Sequence, residues 1–459
     1  MAQFKIEEIL TATQGVLLQG DHCQTVLGIS TDSRRVKPGE LFIALKGERF
    51  DGHHFLNEVA KAGAAAVLVM DELKFNGGVA VIRVADTLKA LGDIARFHRE
   101  RFNVPVIGIT GSNGKTTTKD LLASILEQEM PIVKTEANYN NEIGLPLTLL
   151  QITEATKAVV VEMGMRGLGQ IRRLAQIAKP TLGVVTNVGL THLELLGTRQ
   201  NIARAKGELV ESLPGNGLAV LNGDDYLVRN MRGNSKSKTV LYGIEGDALD
   251  YRAAAIETSA SGSRFKVYFN GTELDLDLPV PGRHNILNAL AAMAAAKALG
   301  ISNRAVQTGL AKPRLTANRL NIFTKNGFRL IDDTYNASPT SMEAALEVLV
   351  SLNQGRRIAV LADMLELGAT AKEIHRQIGV YAGKSGVDYL FAYGDLAREY
   401  VNGVNDITEG KAEYFSSKQA LIARLKEYIK AGDCILVKGS RGMKMEEVVI
   451  ALSGGGEQG

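Results

Sequence analysis

The run Thr110-Gly111-Ser112-Asn113-Gly114-Lys115-Thr116-Thr117-Thr118 follows the apolar segment Val104-Pro105-Val106-Ile107-Gly108-Ile109 and precedes a helical pattern carrying Leu121, Leu122, Ile125 and Leu126. A buried strand that passes through a glycine turn into an amphipathic helix commits this part of the chain to an α/β layer. The same turn suits phosphate. Glycines let backbone N–H groups close around phosphate oxygens, and the helix N-terminus adds partial positive charge. Lys115 can reach terminal phosphates, and the Thr116 hydroxyl can hold a divalent cation. The nucleotide contacts expected are therefore Thr110, Gly111, Ser112, Asn113, Gly114, Lys115, Thr116 and Thr117. The place of the first glycine in the common phosphate loop is held by Ile109, with Gly108 and Gly111 on either side. A Gly-Lys-Thr after a strand also occurs as a plain strand-to-helix turn; strand, turn and helix in register favour nucleotide binding.

Strand and helix patterns recur in three blocks. Residues 1–84 mix short strands (Gly28–Ser30, Leu41–Ala44, Ala66–Val69, Val79–Val84) with helices such as Phe55–Ala62, and Asp86–Phe102 reads as a helix leading to the phosphate loop. Residues 85–315 hold the buried runs Val104–Thr110, Ala158–Met163, Leu182–Val188 and Leu218–Leu221, expected as a parallel sheet covered on both faces. Within that block, Tyr251–Pro281 alternates with period two about Asn270-Gly271, a hairpin signal, and a helix is expected over Ile286–Leu299. Residues 316–459 restart the alternation, from Phe328–Ile331 through the helix Ser341–Leu352 to Cys434–Val437, as a second open α/β sheet without a phosphate loop. The glycine-rich tail Ser453–Gly459 is expected to be disordered.

A length of 459 residues suits about three domains, and 45% apolar residues supply several cores. A net charge of +3 with no basic block gives no electrostatic case for nucleic acid. Cys23 and Cys434 have no metal or redox spacing, so reduced thiols and a cytoplasmic location are expected. Met1–Leu10 reads as an amphipathic helix without the apolar stretch of a signal peptide, and the alanine-rich Ala289–Ala298 is too short for a membrane span.

Several strand ends carry reactive side chains. Glu162 ends Val159-Val160-Val161, at the edge where open α/β sheets place ligands, a position that equally suits a solvated acid. His192 follows another buried run. Alone it reads as a surface or capping histidine; the edge it shares with Thr116 and Glu162 favours a cation site. Lys206 reads locally as a solvated lysine on a helix from near Gln200. Asn288, in Gly282-Arg283-His284-Asn285-Ile286-Leu287-Asn288, can face a purine edge or belong to a helix cap. Arg319 precedes a strand ending in Asp332-Asp333-Thr334-Tyr335-Asn336, where paired carboxylates suit acid, base or metal-bridging roles and equally start a turn. Asp363-Met364-Leu365-Glu366-Leu367-Gly368 and Lys438-Gly439-Ser440-Arg441-Gly442 share one rim of the second sheet, where Lys438 and Arg441 suit a carboxylate or phosphate.

Together these motifs resemble, along the whole chain, those of the Mur ligase superfamily, the ATP-dependent amide-forming enzymes of cell-wall precursor synthesis. The resemblance implies an α/β protein of three domains: a small mixed N-terminal UDP-binding domain, a central parallel-sheet ATP-binding domain and a Rossmann-like C-terminal domain. It explains the missing first glycine, because that family's loop is Gly-x-x-Gly-Lys-Thr. It implies that Thr116, Glu162, His192 and Lys206 hold Mg²⁺, with Lys206 at a position where many members carry a carbamylated lysine. Asn288, Arg319 and Asp333 then correspond to positions that hold adenine, phosphate and ribose. Ser30, Thr31, Asp32, Ser33 and Arg34, with Asp51, Gly52 and His53, look like the uridine-diphosphate site of the E and F types. Folylpolyglutamate synthases share the loop but lack that first domain, and the Asp-Asn-Pro-Arg string of the diaminopimelate-adding E type is absent.

Stretches around Asn138, Asn140, Asn141, Asn336, Lys438, Ser440 and Arg441 are similar to the F type; with Arg172 they are the substrate contacts the resemblance implies. Ala362 stands where the family usually has glycine. The F type implies ATP and Mg²⁺, the substrates UDP-N-acetylmuramoyl-tripeptide and D-alanyl-D-alanine, and catalytic roles for Lys115, Glu162, His192 and Lys206. A monomer is expected, with no nucleic-acid partner. The alternatives are a sister ligase adding lysine or diaminopimelate to a UDP-linked dipeptide and, from another class, a nucleotide-binding regulatory module. The polar residues gathered at strand ends speak against the module.

Overall fold

The computed structural model describes residues 2–48, 50–72, 78–259, 261–352 and 355–454. Among them the strands form three large sheets, each on its own length of chain, with a two-stranded ribbon of Phe4–Lys5 and Thr25–Val26 beside the first. In the first sheet Val16–Gln19, Ala80–Arg83, Ala66–Val69, Leu41–Ile43 and Ile29–Ser30 lie side by side, all parallel except the antiparallel Val16–Gln19 edge. The N-terminal segment is that ribbon strand followed by the helix Ile6–Thr13.

The second sheet places the phosphate-loop strand Val106–Thr110 between Ala158–Glu162 and Leu182–Val185, parallel to both. Register decides what meets at its carboxyl edge: Glu162 lies opposite Ile109, and Val185 opposite Thr110. The three strands therefore end level, and the residues that follow them converge on the loop. Beyond Leu218–Asn222 and Lys238–Gly243 the sheet turns antiparallel. The expected hairpin is a meander of three strands, Tyr251–Ser259, Gly262–Phe269 and Thr272–Leu278, joined to the sheet through Tyr251. Asn270 and Gly271 both take positive φ, as a tight hairpin turn requires.

The edge strand Ile132–Lys134, the strand Lys238–Gly243 and the helix Asn303–Ala311 carried no clear pattern in the sequence. Ile132–Lys134 spans three half-buried residues, too few to display a period. The helix Arg283–Ala298 is buried on nearly every side. Its alanines let it approach the phosphate-loop helix Lys115–Leu126, and its apolar run Ala289–Ala296 belongs inside a core. Gly309 makes a similar close approach: a Cβ there would lie 2.5 Å from Ile125 Cα.

The third sheet runs Asn321–Lys325, Phe328–Asp333, Cys434–Lys438, Arg357–Ala362, Tyr389–Tyr393 and Ala412–Phe415, parallel apart from its first strand. Separate apolar clusters cover its two faces. The tail departs from expectation at its start, since Ser453 closes the helix Glu446–Ser453; residues 455–459 lie outside the described residues. The helix Thr87–Glu100 does more than connect. Its Leu91, Ile94 and Ala95 belong to one core containing Ile6 and Ile82 of the first layer and Val159 and Leu174 of the second.

The chain then passes to the third sheet along the phosphate-loop helix, where Arg314 N–H donates to Ser124 Oγ (3.0 Å) and Thr316 N–H to Asp120 Oδ2 (2.8 Å). Among the described residues no helix is long and apolar enough to cross a membrane. Replacing Gly309 with valine is expected to cost about 1–3 kcal/mol through overpacking, read as a lower urea midpoint with unchanged far-ultraviolet circular dichroism.

Candidate active site

A cleft of about 970 Å³ opens where the carboxyl edge of the second sheet faces the rim of the third. Its floor is the phosphate loop. Gly111 has φ +154, and a Cβ there would collide with Thr186 Oγ1; Gly114 has φ +79, and a Cβ there would meet Asn288 Oδ1. Glycine is thus required twice, by backbone angle and by close approach. The next strand end holds the loop in place. Ser112 N–H donates to Asn187 O (2.9 Å), Asn113 N–H to Asn187 Oδ1 (2.9 Å) and Thr186 Oγ1 to Asn113 O (2.6 Å). Lys115 curls over it, donating to Gly111 O at 2.8 Å and Ser112 O at 3.3 Å.

Glu162 is buried, not a solvated acid. Thr116 Oγ1 donates to its Oε2 (2.6 Å) and Asn140 Nδ2 to its Oε1 (2.8 Å). Burial opposes its ionisation, but the charges of Lys115 and Arg319 and these two hydrogen bonds outweigh it, and the carboxyl titrates below its ordinary range. Behind it lies a support that the sequence did not flag. Glu162 N–H donates to Thr135 Oγ1 (3.0 Å), and Thr135 O accepts from the buried Lys119 Nζ (2.9 Å), itself paired with Asp120. The sole hint was the placement of Lys119 and Asp120 one turn into the phosphate-loop helix.

Lys206 reverses its local reading. It lies on the helix Arg199–Glu211 at 2% exposure, faces the cleft, and among the described residues has no hydrogen-bond or ion-pair partner. Burial, reinforced by the charge of Lys115, drives its amine well below the ordinary lysine range. His192 precedes the short helix Leu193–Leu196 in a left-handed conformation, φ +58, so it is both a cap residue and part of the cleft. Its Nδ1 lies 2.6 Å from Glu366 Oε2. Burial lowers its pKa, the charges of Lys206 and Lys115 add to that, and Glu366 opposes it. Among the described residues no three His, Cys, Asp or Glu side chains gather as a metal cage.

Asn288 is buried against Gly114, accepting from Thr118 Oγ1 (3.3 Å) and donating to Asn285 Oδ1 (3.2 Å). Arg319 stacks on the Tyr335 ring, its guanidinium carbon 3.9 Å from the centroid, and among the described residues its buried Nε has no hydrogen-bond partner. Asp333 is held by Lys438, which also donates to Asn336 O (2.9 Å); Asp332 caps its own turn through Thr334. His284, buried between the fields of Asp333 and Lys438, is pushed down to about 4. Asn138, Asn140, Asn141, Asn336, Lys438, Ser440 and Arg441 all line the cleft. Ser440 Oγ accepts from Leu365 N–H (2.9 Å), and Arg441 pairs with Glu446 (3.2 Å).

Other expected residues do not reach this cleft. Arg172 pairs instead with Glu211 on the surface, while its backbone N–H donates to Glu208. Ser30, Thr31, Asp32, Ser33 and Arg34 sit at the first sheet, where Asp32 accepts from both the backbone and the guanidinium of Arg34. His53 lies in the short helical turn Gly52–Phe55. Both its nitrogens are committed, Nδ1 to Asp51 at 2.6 Å and Nε2 to Met70 N–H at 3.1 Å, so it braces a loop. Gly52 serves the same loop, because a Cβ would press on the Ala44–Leu45 backbone.

An uncompensated buried amine leaves a measurable trace. The unfolded chain binds a proton at Lys206 up to the ordinary lysine value near 10.5, whereas the folded chain releases it earlier, so stability rises with pH across that window. In buffer depleted of carbon dioxide, Lys206→Met is expected to raise the urea midpoint at pH 7, the gain shrinking as pH approaches 10.5; equal midpoints throughout would show the amine to be compensated.

Comparison with known proteins gives this geometry its family. Residues 25–99 match the family described as Mur ligase family, catalytic domain; residues 109–296 match the Mur ligase middle domain; residues 318–441 match the Mur ligase, glutamate ligase domain. A Bacillus subtilis protein named UDP-N-acetylmuramoyl-tripeptide–D-alanyl-D-alanine ligase is 39% identical over 98% of this chain and 98% of its own. An Escherichia coli protein of the same name is 37% identical over 94% of this chain and 95% of its own. The crystal structure of MurF from Acinetobacter baumannii superposes with a TM-score of 0.92 at 32% identity, covering 98% of this chain and 99% of that one. MurF ligase from Thermotoga maritima in complex with ADP gives 0.82 at 29% identity, covering 93% and 96%. With three family regions in order and relatives this similar from end to end, the chain belongs to the Mur ligase family, F type.

Proposed function

We propose that this chain joins D-alanyl-D-alanine to UDP-N-acetylmuramoyl-tripeptide at the expense of ATP, releasing ADP and phosphate, with Mg²⁺ and in the cytoplasm. The observation that carries this reading is the Thr116 hydroxyl on the Glu162 carboxylate at the mouth of the phosphate loop, with the bare amine of Lys206 buried in the same cleft. A peptide carboxylate is a poor electrophile. Its oxygen attacks the γ-phosphorus, the bond to ADP breaks, and the resulting acyl phosphate has a good leaving group. The dipeptide amine then attacks the carbonyl carbon, phosphate departs with the C–O electron pair, and the nitrogen sheds a proton. Phosphoryl transfer of this kind asks mainly for in-line positioning and neutralised charge.

Lys115 serves the β- and γ-phosphates, exchanging the carbonyls of its own loop for phosphate oxygens. Arg319, with an unpartnered buried Nε, faces the same anion. Thr116 and Glu162 supply hard oxygen ligands, and His192 a nitrogen, for Mg²⁺, which when bound neutralises charge on the migrating phosphoryl group. Lys206 supplies the missing anionic ligand only after modification. A neutral amine attacks carbon dioxide, and loss of one proton leaves a carbamate; burial, by lowering the pKa, favours the neutral amine this step needs. Asn140 orients Glu162 and lines the same cleft as the expected substrate contacts. The first sheet grips the UDP end, so remote binding orients the reacting carboxylate.

Three measurements test this. Phosphate release from ATP and Mg²⁺ with the UDP-tripeptide is expected to depend on D-alanyl-D-alanine, and an amine screen to prefer that dipeptide over lysine or diaminopimelate; release without any UDP-linked acceptor would refute the assignment. Lys115→Ala should lower kcat at least about a thousandfold. Carbon-13 dioxide should add one carbamate resonance, absent in Lys206→Ala, whose activity small carboxylates partly restore.

A further inference from the structure

We propose that Glu366 is a positioning residue that sets the tautomer and aim of His192, and that it does so across the boundary between the second and third sheets; this rests on His192 being a metal ligand. The contact is short, Nδ1 to Oε2 at 2.6 Å. In this geometry the Glu366 carboxylate accepts from an Nδ1–H, the arrangement in which Nε2 keeps its lone pair for the cleft. A histidine whose second nitrogen is tied to a carboxylate is the arrangement that orients metal-binding imidazoles.

The two residues approach from different bodies. His192 follows the strand Leu182–Val185 of the second sheet, whereas Glu366 follows Arg357–Ala362 of the third. The Glu366 loop is fastened on its own side. Met364 N–H donates to His375 Nε2 (3.0 Å), Leu365 N–H to Ser440 Oγ (2.9 Å), and Ser440 N–H to Asp363 O (3.0 Å). His375 is itself locked by Ala371 O (2.6 Å) and by the Tyr400 ring. On the facing side, Glu194 N–H reaches back to Glu366 O (3.3 Å). Both partners hold left-handed backbone, φ +58 for His192 and φ +64 for Glu366, which side-chain-bearing residues keep only where surroundings impose it. Glu366 therefore reaches the imidazole only while the third sheet is docked on the second. The ligand is aimed when the cleft is closed.

Glu366 is about one-third exposed, so its replacement leaves the cores untouched. The test uses the full chain labelled with nitrogen-15 histidine and Mn²⁺ as the metal probe, with an ATP analogue that cannot be hydrolysed. In the metal-free protein, Glu366→Ala is expected to lose the Nδ1–H tautomer signature of His192, while Glu366→Gln, whose carbonyl still accepts, retains it. Mn²⁺ affinity should fall ten- to a hundredfold in Glu366→Ala. A Glu366→Ala protein with parental tautomer and parental Mn²⁺ affinity overturns the role of Glu366. His192→Ala with undiminished Mn²⁺ affinity instead overturns the ligand assignment of His192, a separate failure that the metal-free tautomer measurement tells apart.

Discussion

The cleft is organised around a buried carboxylate, Glu162, held among several cations. Glu162 is surrounded by the charges of Lys115 and Arg319, and Lys206 adds a further amine. An unpaired buried charge costs several kcal/mol, against a net stability of about 5–15 kcal/mol for a whole domain. The chain meets this in two ways. Lys115 leans on loop carbonyls and on the field of Glu162, and burial pulls the Lys206 amine well below its ordinary range. Both solutions leave the cleft short of negative charge, a condition that a polyphosphate and a carbamate each relieve.

Parallel-sheet geometry brings these groups together. Strands that end level present their following residues along one edge, and three neighbouring strands of the second sheet deliver the loop, Glu162 and the 186–192 segment to it. The third sheet turns its own carboxyl edge towards this one, so Ser338 Oγ donates to Asn113 Oδ1 (2.9 Å) inside the phosphate loop. Leu190 packs against the core of the third layer. Contacts of this kind fasten the third body directly to the phosphate loop.

How much of this was legible depended on range. The strand–loop–helix run announced itself because its signal is local: apolar residues, glycines and Lys115-Thr116 follow one another within one turn of chain. Buried parallel strands such as Ala158–Glu162 and Cys434–Lys438 were equally plain, being continuous apolar runs. Lys206 was opaque. On a helix it carries polar neighbours, and only the packing of Arg199–Glu211 turns it inward. Thr135 and Glu366 act on residues 27 and 174 positions away, and no periodicity encodes such pairings. The bracing of His53 was equally hidden, since nothing in Asp-Gly-His announces that the Asp51 carboxylate and the imidazole pair with each other.

Backbone strain marks the boundary between the second and third bodies. His192, Asn318, Leu320 and Glu366 all adopt positive φ without being glycine. At roughly 1–2 kcal/mol each, a left-handed residue with a side chain survives only when its neighbours over-determine it. At Leu320 the neighbour is Asp333 Oδ1, which accepts from its N–H at 3.2 Å, and Tyr335 N–H bonds back to Asn318 O at 3.2 Å. The two strained residues flank Arg319 and aim it at the phosphate loop from the segment that joins the bodies. A relaxed, extended connection would hold the same sheets at the same distance but leave the guanidinium free to swing. Strain here adds to the contacts across the boundary, and it fixes the backbone on both sides of a cation that lines the shared cleft.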